Sequence, residues 1–490
     1  LALKGGAEVM LGRYEEALET LDKSAVRTDP AVAAWRGYAE AELGDWRKAR
    51  QSFLEANPLI DAYFPLWAGR FHAAAARANI RMGDGSAAER HAEAARRTGD
   101  PVAMGQASLT LGELALAAGR KNDAQTIFSK LLDHEDPNVR VRAELADTML
   151  GLETGRISLM DAADRLDSLR FRWRGDALEL EIVAALSDVQ FRLGNFREAL
   201  QLAQSFAMQF PDMPGSRELR IQMSEYFDDL FLNSKADDID PIQALALFYE
   251  FRDLTPIGPD GDRMIRKLAN RLVAFDLLDP ATELLAHQVE NRNLIGASRA
   301  KIAADLASIY LIDKRPEEAL RVIGSTRQTG LDDDLRLERR LLEAAAHMEL
   351  QRYSHAIELL ESLSDQRSKE LLAEVHWRAR SWGPAGRALQ NALPDPGVSS
   401  LTPSQVQTAI RAAVAYRLDG NPEGLADLRA GYTPAMSQTA QSETFDLLTG
   451  STRVTSTRLT DIVKSLADTS SANAFISGLK QKFGGAGGQR

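Results

Sequence analysis

The seven histidines are the residues of this 490-residue chain best suited to bind a metal ion or carry a proton. They stand at positions 72, 91, 134, 287, 347, 355 and 376. None lies four residues from another, the spacing that places two metal ligands on one face of a helix. For His347 and His376 we favour packing in the core or between helices over a catalytic role. The histidines therefore predict no metal site.

Motifs for nucleophilic catalysis and phosphate binding are absent from the sequence. The chain contains no Cys, which excludes thiolate nucleophiles, thiolate zinc sites and disulfides. It has no GxSxG and no GxxxxGK[ST] sequence. The acidic pairs Glu15–Glu16 and Glu317–Glu318 stand at predicted helix starts, where carboxylates complement the helix dipole. We therefore predict a protein without catalytic residues, cofactors or metals, and not an enzyme.

Charge and hydropathy limit the classes of partner. The net charge is −11, from 59 basic and 70 acidic residues spread along the chain, whereas nucleic-acid binding needs a clustered basic surface. No apolar run approaches the roughly 18 residues that cross a bilayer. We expect neither nucleic-acid binding nor direct membrane insertion, but a membrane-associated complex stays possible.

Recurring glycines divide the chain into paired helical segments. Gly12, Gly44, Gly83 and Gly119 are 32, 39 and 36 residues apart, close to a period of roughly 34 residues. Each is followed by a segment with apolar residues at helical spacing, as in GRYEEALETL and LGDWRKARQSF. The glycine ends one helix and turns the chain into the next. We expect Asp-Pro pairs such as Asp29–Pro30 to stop the second helix of a pair.

The stretches LGDWRKARQSFLEA and LGNFREALQLAQSFAMQFP resemble the tetratricopeptide repeat (TPR) family, and weaker likeness extends over about residues 1–430. The resemblance implies an all-α, TPR-like α-solenoid, a right-handed superhelix of antiparallel helix pairs with a C-terminal helical cap. RFRWRGD and the segment around ALALFYEFRDL also resemble parts of large, functionally uncharacterised proteobacterial envelope TPR proteins. That likeness implies a periplasmic or envelope-associated location, with a cytoplasmic one as the alternative.

Breaks in the pattern predict five regions. We expect the chain to begin within a longer protein, because its first residues already follow a helical pattern without an initiator Met. The predicted regions are an N-terminal TPR array at 1–211, an irregular helical insert or hinge at 212–262, a second TPR-like array at 263–430, capping helices at 431–483 and a disordered Gly-rich tail at 484–490.

The resemblance implies that a peptide or partner helix binds along the concave groove formed by the first helices of the pairs. The inner-face residues predicted in this groove are Tyr38, Glu42, Arg70, Arg77, Arg81, Glu113, Asp188 and Arg192. Some TPRs hold a carboxylate with an Asn at a position that is here Tyr38, Arg77, Glu113 or Asp188, so we expect no such clamp. The three arginines either bind an acidic peptide or are solvated surface.

Two further surfaces contain Trp and Arg, which are frequent at protein interfaces. The first is Arg172 with Trp173, for which packing between two groups of repeats is the alternative. The second is Trp377 with Arg378. The leading hypothesis is a non-enzymatic scaffold of a bacterial cell-envelope assembly that binds a protein or peptide. The alternatives are a TPR subunit of a secretion, polysaccharide-export or flagellar or motility machine, and the regulatory or substrate-recruiting part of an enzyme whose catalytic domain is missing from this chain.

Overall fold

The computed structural model describes residues 1–213, 215–291, 296–450 and 471–484. Its regular secondary structure in these ranges consists of helices, which confirms the predicted all-α, TPR-like fold. The chain forms two compact units, unit 1 (Leu1–Phe227) and unit 2 (Asp228–Arg490). The residues 451–470 of the predicted cap, and the predicted tail after Gly484, lie outside the described residues.

Unit 1 is built from consecutive helices, in which one 3-10 helix, Asn57–Ala62, precedes α5. Its α-helices are α1 (Ala2–Met10), α2 (Tyr14–Leu21), α3 (Pro30–Glu42), α4 (Trp46–Ala56), α5 (Pro65–Arg81), α6 (Gly85–Arg97), α7 (Pro101–Ala117), α8 (Lys121–Leu131), α9 (Pro137–Glu153), α10 (Leu159–Arg172), α11 (Ala177–Arg192), α12 (Phe196–Gln209) and α13 (Ser216–Phe231), the last of which runs on into unit 2.

Unit 2 follows the same plan, with 3-10 helices at Lys235–Asp238 and Arg252–Leu254. Its described α-helices are α14 (Pro241–Glu250), α15 (Pro259–Ala274), α16 (Leu278–Asn291), α17 (Gly296–Ile312), α18 (Pro316–Ser325), α19 (Asp333–Glu349), α20 (Tyr353–Glu361), α21 (Gln366–Arg378), α22 (Trp382–Asn391), α23 (Pro403–Asp419), α24 (Pro422–Met436), α25 (Ser442–Thr449) and α26 (Ser471–Gly484). None of the helices in the described ranges is long and apolar enough to span a bilayer.

From α1 to α12 and from α15 to α24 the helices form antiparallel pairs, in which an odd-numbered first helix packs against the second helix that follows it. In unit 1 the first helices α1, α3, α5, α7, α9 and α11 also pack against one another in succession. They therefore form a continuous layer, and the residues predicted for the groove lie on these helices. The handedness of the superhelix stays a prediction.

Small residues let the two helices of a pair approach closely. A Cβ atom on Gly5 would collide with Leu21, and one on Gly112 would collide with Phe128 of the second helix. Phe128 and Leu21 are fully buried, so neither can move aside without opening the core.

Asp-Pro pairs begin helices, contrary to the expectation that they stop them. Asp29 caps α3, because its Oδ1 accepts a hydrogen bond from the Ala31 backbone N–H at 2.9 Å. Pro30 occupies the first helical position, where its missing N–H has no helical partner to lose. The next Asp-Pro pair acts in the same way, because the Asp100 side chain accepts a hydrogen bond from the Ala103 backbone N–H and Pro101 is the first residue of α7. Each pair therefore fixes the start of a first helix.

Candidate functional site

Charged residues of the first helices form a connected group on the inner face of unit 1. Glu42 on α3 accepts a hydrogen bond from Arg77 on α5, with 2.5 Å between Oε1 and Nη2. Glu181 on α11 lies between two arginines, 3.4 Å from Arg81 on α5 and 3.9 Å from Arg142 on α9. The structure thus brings three predicted residues together with two that the sequence interpretation missed.

Glu113 on α7 lies at the centre of this group, in a recess of about 180 Å³. Arg142 and Glu181 also line the recess, together with apolar residues of α7, α8 and α9. Among the described residues, none donates a hydrogen bond to the half-buried Glu113 carboxylate. Burial raises the pKa of Glu113, although Arg81 and Arg142 act in the opposite direction. Burial also lowers the pKa of Arg142.

Two tryptophans hold the three predicted arginines in place. The guanidinium groups of Arg77 and Arg81 lie 5.6 and 5.9 Å from the ring centre of Trp46, within cation–π range. Arg70 lies 5.3 Å from the Trp67 ring and 3.9 Å from the Asp100 carboxylate. Only Arg81 of the three is an exposed residue. Arg70 and Arg77 are therefore positioned by the chain itself.

Tyr38 belongs to an aromatic group at the start of the inner face. Its ring centre is 5.9 Å from Trp67 and 6.1 Å from Phe71, both in edge-on arrangements. Burial, reinforced by Glu42, raises the pKa of the Tyr38 hydroxyl, which therefore stays protonated. Tyr38 therefore presents an aromatic ring and a neutral hydroxyl at this end of the inner face.

The predicted residues Asp188 and Arg192 lie further along the same face, on α11. They pair with each other across one helical turn, with 3.6 Å between Oδ2 and Nη1. Asp188 also accepts a hydrogen bond from the Tyr226 hydroxyl at 3.2 Å. The two residues continue the alternation of charge.

Arg172 joins the two helices of its own pair, and Trp173 lies where that pair meets the next one. The Arg172 guanidinium donates to both carboxylate oxygens of Glu144 at 2.8 and 2.7 Å. The half-buried Trp173 packs against the core, and its Nε1 donates to Asp176 at 2.8 Å. Asp176 in turn caps α11 through the backbone N–H of Leu178. These contacts define a structural role for both predicted residues.

Trp377 and Arg378 on α21 of unit 2 also have partners within the chain. Trp377 packs edge-on against Trp382, and the Arg411 guanidinium lies 4.5 Å from its ring centre. Arg378 pairs with Glu349 at 2.9 Å and with Glu374 at 3.1 Å. Both residues are half-buried.

Histidines of consecutive helices form pairs. His72 and His91 lie with their Nδ1 atoms 2.9 Å apart, and His72 Nε2 is 3.0 Å from Asp61. The rings of His347 and His355 stack at 5.3 Å. Within the described ranges, no group of three or more His, Cys, Asp or Glu side chains is arranged to hold a metal ion.

The inner face of unit 2 carries the last described helix. α26 packs against α15, α17 and α21, which are first helices. Lys482 Nζ lies 2.8 Å from Asp305 Oδ1 and 2.5 Å from Glu338 Oε1. Burial opposes the charge of Lys482, but the two carboxylates outweigh it and raise its pKa. Leu479 and Phe483 are buried on the same helix.

The region predicted to cap the chain therefore contains two differently placed helices. α25 packs against α23 and α24, the last helix pair, as a cap does. α26 lies instead against inner helices from earlier in unit 2. Its apolar residues predict an amphipathic helix, but such a pattern does not specify which surface buries it.

Arg142 was missed because the fifth pair has an altered turn, and Glu181 was missed because the sequence interpretation used its position in the repeat only for Arg70. Arg70, Arg142 and Glu181 each stand 13 residues before a turn glycine, namely Gly83, Gly155 and Gly194. Applying this position at Gly155 and Gly194, as well as at Gly83, would have placed all three on the inner face. No comparable signal exists for the contact of Lys482 with Asp305, which joins residues 177 positions apart.

Comparisons with known proteins give structural likeness only. No protein-family model matches the chain, and no curated protein matches it. Solved structures that align with it include the APC/C hetero-tetramer Cut9-Hcn1 (14% identity, 99% of this chain and 95% of that one, TM-score 0.28). A second is Naa15/Naa10 bound to HypK-THB, with 13% identity, coverage of 99% of this chain and 76% of that one, and a TM-score of 0.25. A third is the P58(IPK) TPR domain, with 16% identity, coverage of 72% of this chain and 99% of that one, and a TM-score of 0.20. At these values the likeness says nothing about activity or partner.

Proposed function

We propose that the chain is a non-enzymatic protein-interaction scaffold, and that the inner face of unit 1 binds a segment of a partner protein. The recess around Glu113 supports this proposal most strongly. The described part of the chain offers no hydrogen-bond donor to this half-buried carboxylate, and burial raises its pKa, so a donor or cation from a ligand would stabilise its charged form. The apolar part of the recess would bury the stem of a lysine or arginine side chain.

The charges around the recess define the chemistry of that segment. Glu113 calls for a basic residue, whereas the exposed Arg81, held at 3.4 Å by Glu181, is available to an acidic one. We therefore propose a partner segment that carries both charges a few residues apart. Such complementarity contributes to specificity and to the rate of association.

We further propose that the scaffold works in a bacterial cell-envelope assembly, within a membrane-associated complex. This setting rests on the sequence likeness of RFRWRGD and the ALALFYEFRDL region to envelope TPR proteins. Fractionation of native cells with an antibody to the chain tests it. Recovery in the periplasmic or envelope fraction is expected, and recovery only in the cytoplasm would contradict it.

A charge-exchange variant tests the proposed groove. The double variant Arg81→Glu/Glu113→Lys reverses both charges that face the ligand and leaves the net charge unchanged. The matched control is Glu89→Lys/Arg96→Glu, which makes the same exchange at exposed positions of the second helix α6. Both variants should melt as cooperatively as the unmodified chain.

Affinity capture from native lysate then compares the three baits. The unmodified chain and the α6 control should recover the same partner, and the inner-face variant should recover at least about tenfold less, because like charges would oppose each other. Equal recovery by all three baits would show that the partner binds elsewhere.

A further inference from the structure

We propose that the inner face of unit 2 is a docking site for a basic amphipathic helix of a partner protein, and that α26 occupies this site as an intramolecular ligand. The proposal concerns the second unit, so it does not depend on the groove of unit 1. It rests on the chemistry of the contact between α26 and the first helices.

The acidic side of the site consists of carboxylates from separate elements that converge on α26. Asp305 on α17 and Glu338 on α19 both pair with Lys482, and Asp276 lies 3.7 Å from Lys480. Arg266 binds Oδ2 of Asp305 at 2.6 Å, while Lys482 binds Oδ1. The site therefore leaves one oxygen of a buried carboxylate for a cation of the bound helix.

The apolar side of the contact has a regular spacing. Phe475, Leu479 and Phe483 follow one another at intervals of four residues, so they share one face of the helix. Leu479 and Phe483 are buried, and Phe475 is half-buried. A partner helix should therefore carry apolar residues at i, i+4 and i+8 and a lysine at i+7, the pattern that ends in Lys482 and Phe483.

α26 has the properties of a replaceable ligand. It is only 14 residues long, a length at which an isolated helix is marginal. Gly478 lies in its interior with no atom near the position of a Cβ, so this weak helix former serves no packing purpose. Because α26 belongs to the same chain as the docking site, its high local concentration favours its binding there. A partner helix with stronger helix formers can compete with α26 for the site.

Binding of the helix in trans tests the proposal. The probe is a fluorescein-labelled peptide of residues 471–484, and binding is followed by fluorescence anisotropy. The receptor is the full chain with Leu479→Asp/Phe483→Asp, which removes both buried anchors from the resident helix. This variant should bind the peptide saturably and at least about tenfold more tightly than the unmodified chain, whose own helix competes.

A charge exchange identifies the surface that binds the peptide. A Lys482→Glu peptide should bind the same receptor at least about tenfold more weakly, because a carboxylate replaces the ammonium beside Asp305 and Glu338. Adding Glu338→Lys to the receptor should restore most of that binding. Loss without restoration would place the peptide on another surface and overturn the proposal.

Three further results would also overturn it. The first is equal peptide binding by the variant and the unmodified chain, and the second is no binding by either. The third is a dimer of the unmodified chain, seen by light scattering, that Leu479→Asp/Phe483→Asp abolishes, since such a dimer would assign the face to a second copy.

If the double variant unfolds unit 2, the full chain with Lys482→Glu alone replaces it. Its α26 amides should exchange faster than those of the unmodified chain, and unchanged exchange would refute displacement.

Discussion

The two units present the same kind of inner face but satisfy its charges differently. In unit 1, Glu42, Arg77 and Glu181 pair with residues of other first helices, and Glu113 is left without a donor among the described residues. In unit 2, Asp305 and Glu338 receive a lysine from the chain's own C-terminal helix. The helical architecture alone therefore does not decide whether a groove is available to a partner. The groove is available only where no other part of the chain already pairs with the charged residues of its inner face.

The units differ again in the turns within their helix pairs. In unit 1 these turns contain glycines such as Gly44 and Gly83, with φ of 80° and 79°. In unit 2 the same left-handed conformation is adopted at Asp276, Lys314, Gln351 and Arg380, with φ of 56–59°. Left-handed backbone is unfavourable for residues with a Cβ, so unit 2 carries strain at turns that unit 1 makes freely.

The largest expected difference concerns ion pairs. Glu374 and Arg411 of unit 2 are almost fully buried and lie 2.7 Å apart, whereas Glu42 and Arg77 of unit 1 are partly exposed. Glu374→Ala should destabilise unit 2 by about 3–5 kcal/mol, because it removes the buried carboxylate that pairs with the buried Arg411 guanidinium. Glu42→Ala should cost unit 1 about 1 kcal/mol.

Amide hydrogen exchange followed by mass spectrometry reports the opening free energy of each unit separately. Each variant should raise exchange in its own unit. Equal losses of stability for the two substitutions would show that burial does not distinguish these pairs.

The histidine pairs are expected to make the units differ in acid sensitivity. Burial, His72 and Arg90 lower the pKa of His91 from its ordinary value of 6.5 to about 4. The unfolded chain therefore binds a proton that the folded chain refuses, so stability should fall as the pH drops from about 6.5 to about 4. His91→Asn should remove on the order of 2 kcal/mol of this loss.

His355→Asn in unit 2 is the matched control for this effect. The stacked His347 has a pKa lowered by burial and by His355, but the two rings share no hydrogen bond of the kind seen between His72 and His91. Urea unfolding at pH 7.5 and at pH 4.5 measures the free energy of unfolding of both variants and of the unmodified chain. A pH dependence that survives His91→Asn would assign the acid sensitivity to other groups.

The smallest expected effects test the turns. Gln351→Gly should stabilise unit 2 by about 1 kcal/mol, and Gly83→Ala should destabilise unit 1 by a similar amount. A Cβ on Gly83 meets no atom within 4 Å, so only the backbone conformation opposes it. Gly324, inside α18 and equally unobstructed, is the control, and Gly324→Ala should be stabilising. Thermal melting compares the stabilities of the three variants with that of the unmodified chain. Destabilisation by Gln351→Gly would show that the left-handed backbone at this turn is not strained.

These turns also explain what the sequence could predict. Glycines such as Gly12 and Gly44 mark the ends of first helices, so the helix pairs of unit 1 and the register of Tyr38 and Arg77 follow from the sequence. In unit 2 most of the turns carry side chains, and the repeat loses its marker there. The pairing of Arg77 with Glu42 and of Lys482 with Asp305 depends on how the pairs stack, which periodicity does not contain.

Carboxylate labelling with a carbodiimide and glycine ethyl ester, read by mass spectrometry, tests the contrast between the two inner faces most directly. We compare the full chain with the Leu479→Asp/Phe483→Asp variant. Labelling of Glu338 should rise several-fold in the variant, since its lysine partner leaves, while labelling of Glu113 and Glu181 in unit 1 should stay constant. Equal labelling of Glu338 in both proteins would contradict the account, because it would mean that α26 does not cover the inner face of unit 2 in solution.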